Sequence, residues 1–202
     1  TFAEPLAATN FSFLRGASHP HEMVARAHAL GMAGIGIADR NSLAGVVRAH
    51  RAWQAVGGQA GGFRLILGAR LVFADDTPDM VAYPMSRLGW GRLTRLLTLG
   101  NRRAVKGDCI LYLADLLEHG DDLLLIALGG EREFLGHLKA VFQDRLWLGA
   151  TMLSLVVVVK YGSAFESPSI FETWKLTHCI APGRNMPLVN LRALSHTLVG
   201  SI

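Results

Sequence analysis

The feature that most limits the possible folds of this chain is a short, wholly apolar run at residues 33–38 (AGIGIA), which ends at Asp39. A helical pattern precedes it, with Ser18 placed to cap the first turn and Pro20 where a missing N–H costs nothing. A short apolar strand between two helices is typical of a parallel sheet covered on both faces. Because such sheets carry their chemistry at the carboxyl ends of the strands, Asp39 and Arg40 lie where a site is expected.

The alternation of strand and helix continues along the chain. Apolar runs predict further strands at residues 64–73, 80–83 and 123–128, and amphipathic stretches around them predict helices. Ser42 is predicted to cap the helix that follows Asp39. The result is about five βα repeats, which is typical of an α/β barrel or a doubly wound sheet. Periodicity alone does not decide between these two folds.

The character of the sequence changes after residue 150. Residues 152–160 (MLSLVVVVK) fit one more strand, but the remainder lacks clean periodicity and carries Pro168, Pro182 and Pro187. We therefore predict one α/β domain over residues 1–150. Residues 151–202 are predicted to be a divergent carboxyl-terminal segment of the same domain or an irregular tail.

Composition places the chain among globular proteins, because half of its 202 residues are hydrophobic and 18% are charged. The net charge of +4 is compatible with a nucleic-acid partner but does not indicate one. No apolar run approaches the ~20 residues of a membrane-spanning helix, and the first residues lack a signal-peptide pattern. The two cysteines are far apart, which fits free thiols in a reducing compartment. We predict a cytoplasmic protein that contacts no membrane.

A family resemblance rests on four stretches that occur in one order: residues 10–20 (NFSFLRGASHP), 38–50 (ADRNSLAGVVRAH), 65–71 (LILGARL) and 91–109 (GRLTRLLTLGNRRAVKGDC). They closely resemble the amino-terminal PHP domain of bacterial error-prone DNA polymerases, relatives of the replicative polymerase III alpha subunit. The resemblance covers residues 1–149 and implies a PHP-type distorted (β/α) barrel of seven strands. We expect this barrel to be incomplete or divergent at its carboxyl-terminal end.

The resemblance also implies where a metal site would lie. Active PHP domains are metal-dependent phosphoesterases whose His, Asp and Glu ligands stand at strand ends. Alignment of the motifs puts Leu6 and Ala8 at the two positions of a first histidine pair, Arg40 at a further histidine, and Arg70 at a glutamate. Asp39 is the only retained residue of ligand type. We therefore predict that this chain has no metal ligands, no catalytic residue and no cofactor of its own.

Two interpretations of Asp39 remain open from the sequence. Its carboxylate could be ion-paired with Arg40 and Arg70 in the space of a former metal site, or it could cap the helix that follows. The eight histidines form no pattern of metal-ligand spacing, so we interpret them as surface or capping residues.

One local cluster of basic residues is a candidate nucleic-acid-binding surface. It consists of Arg92, Arg95, Arg102, Arg103 and Lys106. A solvated helix face is the preferred interpretation, because no aromatic residues are interleaved for base stacking. The alternative is a patch that contacts phosphates.

The function implied by the resemblance is that of an amino-terminal PHP-domain portion of an error-prone DNA polymerase. The whole enzyme, a nucleotidyltransferase, would synthesise DNA across template lesions in DNA repair and replication, with Mg²⁺ held by carboxylates beyond residue 202. This chain would be a non-catalytic structural and interaction module. Its partners would be the remainder of the polymerase chain, DNA through the whole enzyme, and other translesion or replisome proteins.

Two alternatives belong to other functional classes. The first is a metal-dependent PHP phosphoesterase or a proofreading 3′–5′ exonuclease, which the missing ligands disfavour. The second is a non-enzymatic barrel that binds DNA or a protein partner.

Overall fold

A computed structural model of the protein describes residues 2–152 and 155–160, with the side chains of residues 2–149 apart from Gln59. The strands are β1 (Ala3–Ala7), β2 (Gly34–Arg40), β3 (Arg64–Leu71), β4 (Met80–Pro84), β5 (Leu123–Ala127), β6 (Leu146–Met152) and β7 (Leu155–Lys160). The helices are α1 (Pro20–Ala29), α2 (Val46–Ala55), α3 (Arg87–Arg103), α4 (Leu113–His119) and α5 (Arg132–Phe142).

The strands of the described residues form one sheet in sequential order, from β1 to β7. Strands β1, β2 and β3 are parallel, as are β5 and β6. Strand β4 runs antiparallel to both of its neighbours, and β7 runs antiparallel to β6. The sheet curls into a half-barrel, with β7 close to β1. This arrangement confirms the predicted α/β fold of PHP type.

The regular βα repeat expected from the sequence is interrupted at β4. Residues 72–79 join β3 to β4 and contain no helix, and a connection this short cannot carry the chain back to the start of a parallel strand. Strand β4 therefore forms an antiparallel pair with β3. The polar turn at residues 74–79 (ADDTPD) produces this reversal.

Two layers of apolar side chains cover the sheet. Alternate residues of β4 and β5, such as Met80 and Leu125, pack with α3, α4 and α5 on the outer face. The residues between them point to the inner face, on which none of the described helices packs. Its buried cluster consists of Ala38, Val81, Tyr83, Leu124, Ile126 and Trp147.

Tyr83 fills the centre of the inner face. Its side chain is buried, and its hydroxyl donates a hydrogen bond to the main-chain oxygen of Pro5 at 2.5 Å. A Cβ atom at Gly36 would lie 2.8 Å from the Tyr83 hydroxyl oxygen, and one at Gly68 would lie 2.5 Å from a ring carbon of Tyr83. The glycines of β2 and β3 therefore make room for this ring.

Two predicted helix caps were wrong. Helix α1 begins at Pro20 as expected, but His19 rather than Ser18 is its N-cap residue, and the His19 N–H donates to Glu22 Oε2 at 2.8 Å. Helix α2 begins only at Val46, so Ser42 does not cap it. Residues 41–45 form a turn instead, because Asp39 and Ser42 make an antiparallel β-bridge directly after β2.

The predicted irregular tail lies largely outside the described residues, which end at residue 160. The strand predicted over residues 152–160 is present only from Leu155 as β7, and Met152 instead ends β6, with which β7 pairs. Strand β6 runs to Met152 and so crosses the predicted domain boundary at residue 150, which stays a prediction.

Candidate functional site

Asp39 stands at the carboxyl end of β2, and only 2% of its surface is exposed. Both of its carboxylate oxygens accept hydrogen bonds. Oδ1 accepts the Thr9 main-chain N–H at 2.7 Å and the Ser12 hydroxyl at 2.6 Å, and Oδ2 accepts the Thr9 hydroxyl at 2.7 Å. The Ser12 oxygen in turn accepts the Arg40 N–H at 3.0 Å. A buried carboxylate is thus satisfied by polar groups of the loop after β1.

Neither interpretation of Asp39 from the sequence was correct. Arg70 is ion-paired with Asp79, with its Nη2 and Nε atoms 2.7 Å and 2.8 Å from Asp79 Oδ2. The side chain of Arg40 is exposed and pairs with no carboxylate of the described residues. Asp39 is also no helix cap, because α2 starts after Gly45. The carboxylate instead fastens the loop after β1 to the end of β2.

Apolar or basic side chains occupy the positions at which the resemblance implies missing metal ligands. Leu6 packs against the inner apolar cluster around Tyr83. Arg40 presents an exposed positive charge at the end of β2, and Arg70 at the end of β3 is balanced by Asp79. Among the described residues, no group of three His, Cys, Asp or Glu side chains could hold a metal ion. The groups present at this strand edge therefore do not fit a catalytic dication.

Glu4 is an inner-face residue that the sequence reasoning missed. It lies two positions before Leu6 in β1, and its Oε1 accepts the Leu6 N–H at 3.0 Å. Burial raises the pKa of the Glu4 carboxyl, and the Leu6 N–H partly offsets this. Burial, with a smaller contribution from the charge of Glu4, raises the pKa of the Tyr83 phenol far above its usual range. The strand register shifts between Glu4 and Ala7, so simple alternation along β1 does not predict this placement.

The structure divides the predicted basic cluster into paired and unpaired side chains. Arg92 is paired with Asp121 at 2.5 Å. Arg103 makes two hydrogen bonds to Asp115, of which the Nη2–Oδ1 bond is 2.7 Å long. The remaining members are exposed and pair with no carboxylate in the described part of the chain: Arg95, Arg102 and Lys106. Two of the five predicted phosphate contacts are thus already engaged in ion pairs.

A broad open groove of about 1520 Å³ lies beside the carboxyl end of β2. Residues 11–15 and 40–44 line it from one part of the chain, and the second half of α3 with residues 105–110 lines it from another. We call it the basic groove, because Arg15, Arg40 and Lys106 are among its lining residues. Phe11 and Phe13 line the same groove. Two aromatic residues therefore line the same groove as Lys106, a member of the predicted basic cluster.

Comparison with known families agrees with this fold. Residues 7–157 match the sequence model of the family described as PHP domain. The chain belongs to the PHP domain family. In the part of this PHP domain that the structure describes, no helix is long and apolar enough to cross a membrane.

Among similar proteins, error-prone DNA polymerase 1 of Rhizobium meliloti strain 1021 is 53% identical over 156 residues, which are 73% of this chain and 14% of that polymerase. The error-prone DNA polymerase of Brucella abortus biovar 1 strain 9-941 is 50% identical over 158 residues, or 75% of this chain and 15% of that polymerase. The PHP chain thus spans about one seventh of the length of these relatives. The predicted relationship to error-prone polymerases is confirmed.

One solved structure with a similar fold is that of a candidate metal-dependent phosphoesterase from Bifidobacterium adolescentis. The TM-score is 0.55 with 14% sequence identity, over 72% of this chain and 77% of that chain. Similarity at this level of identity establishes the shared fold alone.

Proposed function

We propose that this chain is the PHP-domain portion of an error-prone DNA polymerase and acts within it as a non-catalytic structural and interaction module. The observation that carries the proposal is the 50–53% identity to proteins named error-prone DNA polymerases, of which the chain spans only 14–15%. The activity of such a polymerase would be DNA-templated DNA synthesis across lesions, during repair and replication in the cytoplasm. Its Mg²⁺ ions would be held by carboxylates outside the PHP domain.

The chemistry of the strand edge supports a structural rather than a hydrolytic role. A hydrolytic metal site needs several carboxylates or neutral imidazoles and an open position for water. Here Asp39 is surrounded by donors from Thr9 and Ser12, so both of its oxygens are already used. Arg40 adds an unpaired positive charge that opposes a dication, and Arg70, which is ion-paired with Asp79, offers no ligand atom. The inner face is filled by Tyr83 and its apolar neighbours.

Primer extension on a lesion-containing template tests the proposal. The full-length polymerase that contains this domain is expected to extend a primer past the lesion, whereas residues 1–202 alone are expected to extend none. A full-length Asp39→Ala variant should lose extension because the domain is destabilised, and Arg132→Ala, which removes an exposed side chain of α5, should retain it.

Two results would overturn the proposal. One is a full-length protein that does not extend primers. The other is release of nucleotides from DNA by residues 1–202 in added Mn²⁺, which would favour the phosphoesterase or exonuclease alternative.

A further inference from the structure

More cationic than acidic side chains line the basic groove. Arg15, Arg40 and Lys106 line it, and none of these cations pairs with a carboxylate of the described residues. The one acidic residue among the described lining residues is Asp108. Unpaired cations in a concave surface concentrate the field and attract an anionic ligand.

The loop after β1 presents large apolar side chains at the groove. Phe13 is 83% exposed and Leu14 is 89% exposed, and Val105 on the other side of the groove is 80% exposed. Leu14 has a φ angle of 60°, which is rare and unfavourable for a bulky residue. A strained, solvent-exposed apolar turn is a frequent property of a binding surface.

Hydrogen bonds hold this turn in place. The main-chain oxygen of Ser12 accepts the N–H groups of Arg15 at 2.9 Å and Gly16 at 3.1 Å. The hydroxyl of the same serine donates to Asp39, at the end of β2. Phe13, Leu14 and Arg15 are therefore held on a preorganised loop, so that less conformational entropy is lost when a ligand binds.

We propose that the basic groove binds single-stranded DNA. Arg15, Arg40 and Lys106 contact phosphates, and the exposed ring of Phe13 stacks on a base. Cations that follow the backbone and an aromatic platform for the bases are together the chemistry of single-strand binding, and a base within a duplex offers no free face for stacking. The choice of DNA over RNA rests on the proposed polymerase function.

This groove differs from the basic cluster that the sequence suggests. Arg92 and Arg103 belong to that cluster but are ion-paired with Asp121 and Asp115, and they do not line the groove. Lys106 is the member that the two surfaces share. The additional groups come from the loop after β1 and from the end of β2.

Fluorescence anisotropy of residues 1–202 with fluorescein-labelled oligothymidylate tests the proposal. Three phosphate contacts give an expected slope of log K against log salt of about −2. Phe13→Ala is expected to weaken binding by about 5- to 150-fold through loss of one stacked base. Lys106→Ala and Arg15→Ala should each weaken binding and make the salt slope shallower by roughly 0.7.

Matched controls separate the groove from general surface effects. Leu88→Ala removes an exposed apolar side chain away from the groove, and Arg132→Ala removes an exposed cation on α5. Both are expected to bind like the unmodified chain. Losses in these controls as large as those of Phe13→Ala and Lys106→Ala would overturn the assignment.

Other ligands test whether the groove prefers single-stranded DNA. Labelled duplex DNA that binds as tightly as oligothymidylate would refute the single-strand assignment, and so would tighter binding of an acidic, apolar peptide. Tighter binding of oligouridylate would refute the choice of DNA. The assay needs no polymerase activity, so absent binding rejects the groove proposal alone, whereas absent primer extension by the full-length enzyme rejects the proposed function alone.

Discussion

Thr9 holds Asp39 through both carboxylate oxygens, with its main-chain N–H 2.7 Å from Oδ1 and its hydroxyl 2.7 Å from Oδ2. The two residues are 30 positions apart in the sequence, so this contact closes the loop after β1 onto the end of β2. The Asp39 carboxylate is thus the acceptor of a network of polar donors from this loop. The same network positions the turn that lines the basic groove.

Removal of the Thr9 hydroxyl should destabilise the domain. Thr9→Val keeps the shape of the side chain but leaves Asp39 Oδ2 without its donor, and an unsatisfied buried acceptor costs about 1–3 kcal/mol. The free energy of unfolding in urea measures this loss. The matched control is Thr98→Val, because the Thr98 hydroxyl donates to Thr94 O on an exposed helix face and its loss should cost less than about 0.5 kcal/mol.

The Asp39→Asn variant tests whether the Asp39 carboxylate stabilises the domain as a hydrogen-bond acceptor or through its charge. The amide oxygen can replace Oδ1 and keep the bonds from Thr9 N–H and Ser12, so Asp39→Asn should retain more stability than Asp39→Ala, which leaves these donors unpaired. Equal losses of unfolding free energy in the two variants would contradict this role of the carboxylate.

The sequence predicted the elements of the sheet better than it predicted the site. Strand β2 was predictable because a wholly apolar run between helices has few other structures available. The start of α2 was not, because Asn41 adopts a positive φ of 45° in a turn that the propensities of residues 41–45 do not specify. The donors to Asp39 lie 27 and 30 residues away, and no local pattern indicates such contacts.

Sequence patterns did not predict the basic groove either. Phe13 and Lys106 are far apart in the chain, and they line one surface only because the fold brings the loop after β1 and the residues after α3 to the same groove. The ion pairs that remove Arg92 and Arg103 from the predicted basic cluster also depend on tertiary structure. The basic cluster predicted from the sequence therefore contains one cation that lines the groove, Lys106. It does not contain the other two, Arg15 and Arg40.

Replacement of Gly68 and of Gly91 by alanine should change the stability of the domain in opposite directions. Gly68→Ala places a Cβ atom 2.2 Å from the main-chain oxygen of Ala82 and 2.5 Å from a ring carbon of Tyr83, so β3 or its neighbours must shift, at a cost of about 1–3 kcal/mol. Gly91→Ala meets nothing within 4 Å on the exposed side of α3 and should stabilise the domain by about 0.5–1 kcal/mol. Thermal unfolding of both variants measures the effects. A stabilised Gly68→Ala variant would show that β3 does not pack closely against Ala82 and Tyr83 as described.

The chain is expected to retain no catalytic metal. Leu6 and Ala8 offer no ligand atom, Arg40 adds a positive charge at the strand edge, and Arg70 is ion-paired with Asp79. Elemental analysis of protein purified without chelator should show no stoichiometric Zn²⁺ or Mn²⁺, and a phosphodiesterase assay in added Mn²⁺ should show no turnover. Stoichiometric metal that disappears in Asp39→Ala, together with the activity, would replace this expectation with the phosphoesterase alternative.

Arg103 forms two hydrogen bonds with the carboxylate of Asp115 and thereby lowers the pKa of Asp115 below its usual value of 3.8. A carboxyl group with a lowered pKa in the folded state contributes stability that is fully present above its unfolded pKa and is lost as the pH falls through its folded pKa. Asp115→Asn should therefore lower the urea midpoint at neutral pH, and its difference from the unmodified chain should shrink as the pH falls below 3.8. Asp121→Asn, whose side chain is 70% exposed, should change the midpoint little at any pH. A difference for Asp115→Asn that stays constant from neutral to acidic pH would mean that the Arg103 contact does not stabilise the charged carboxylate.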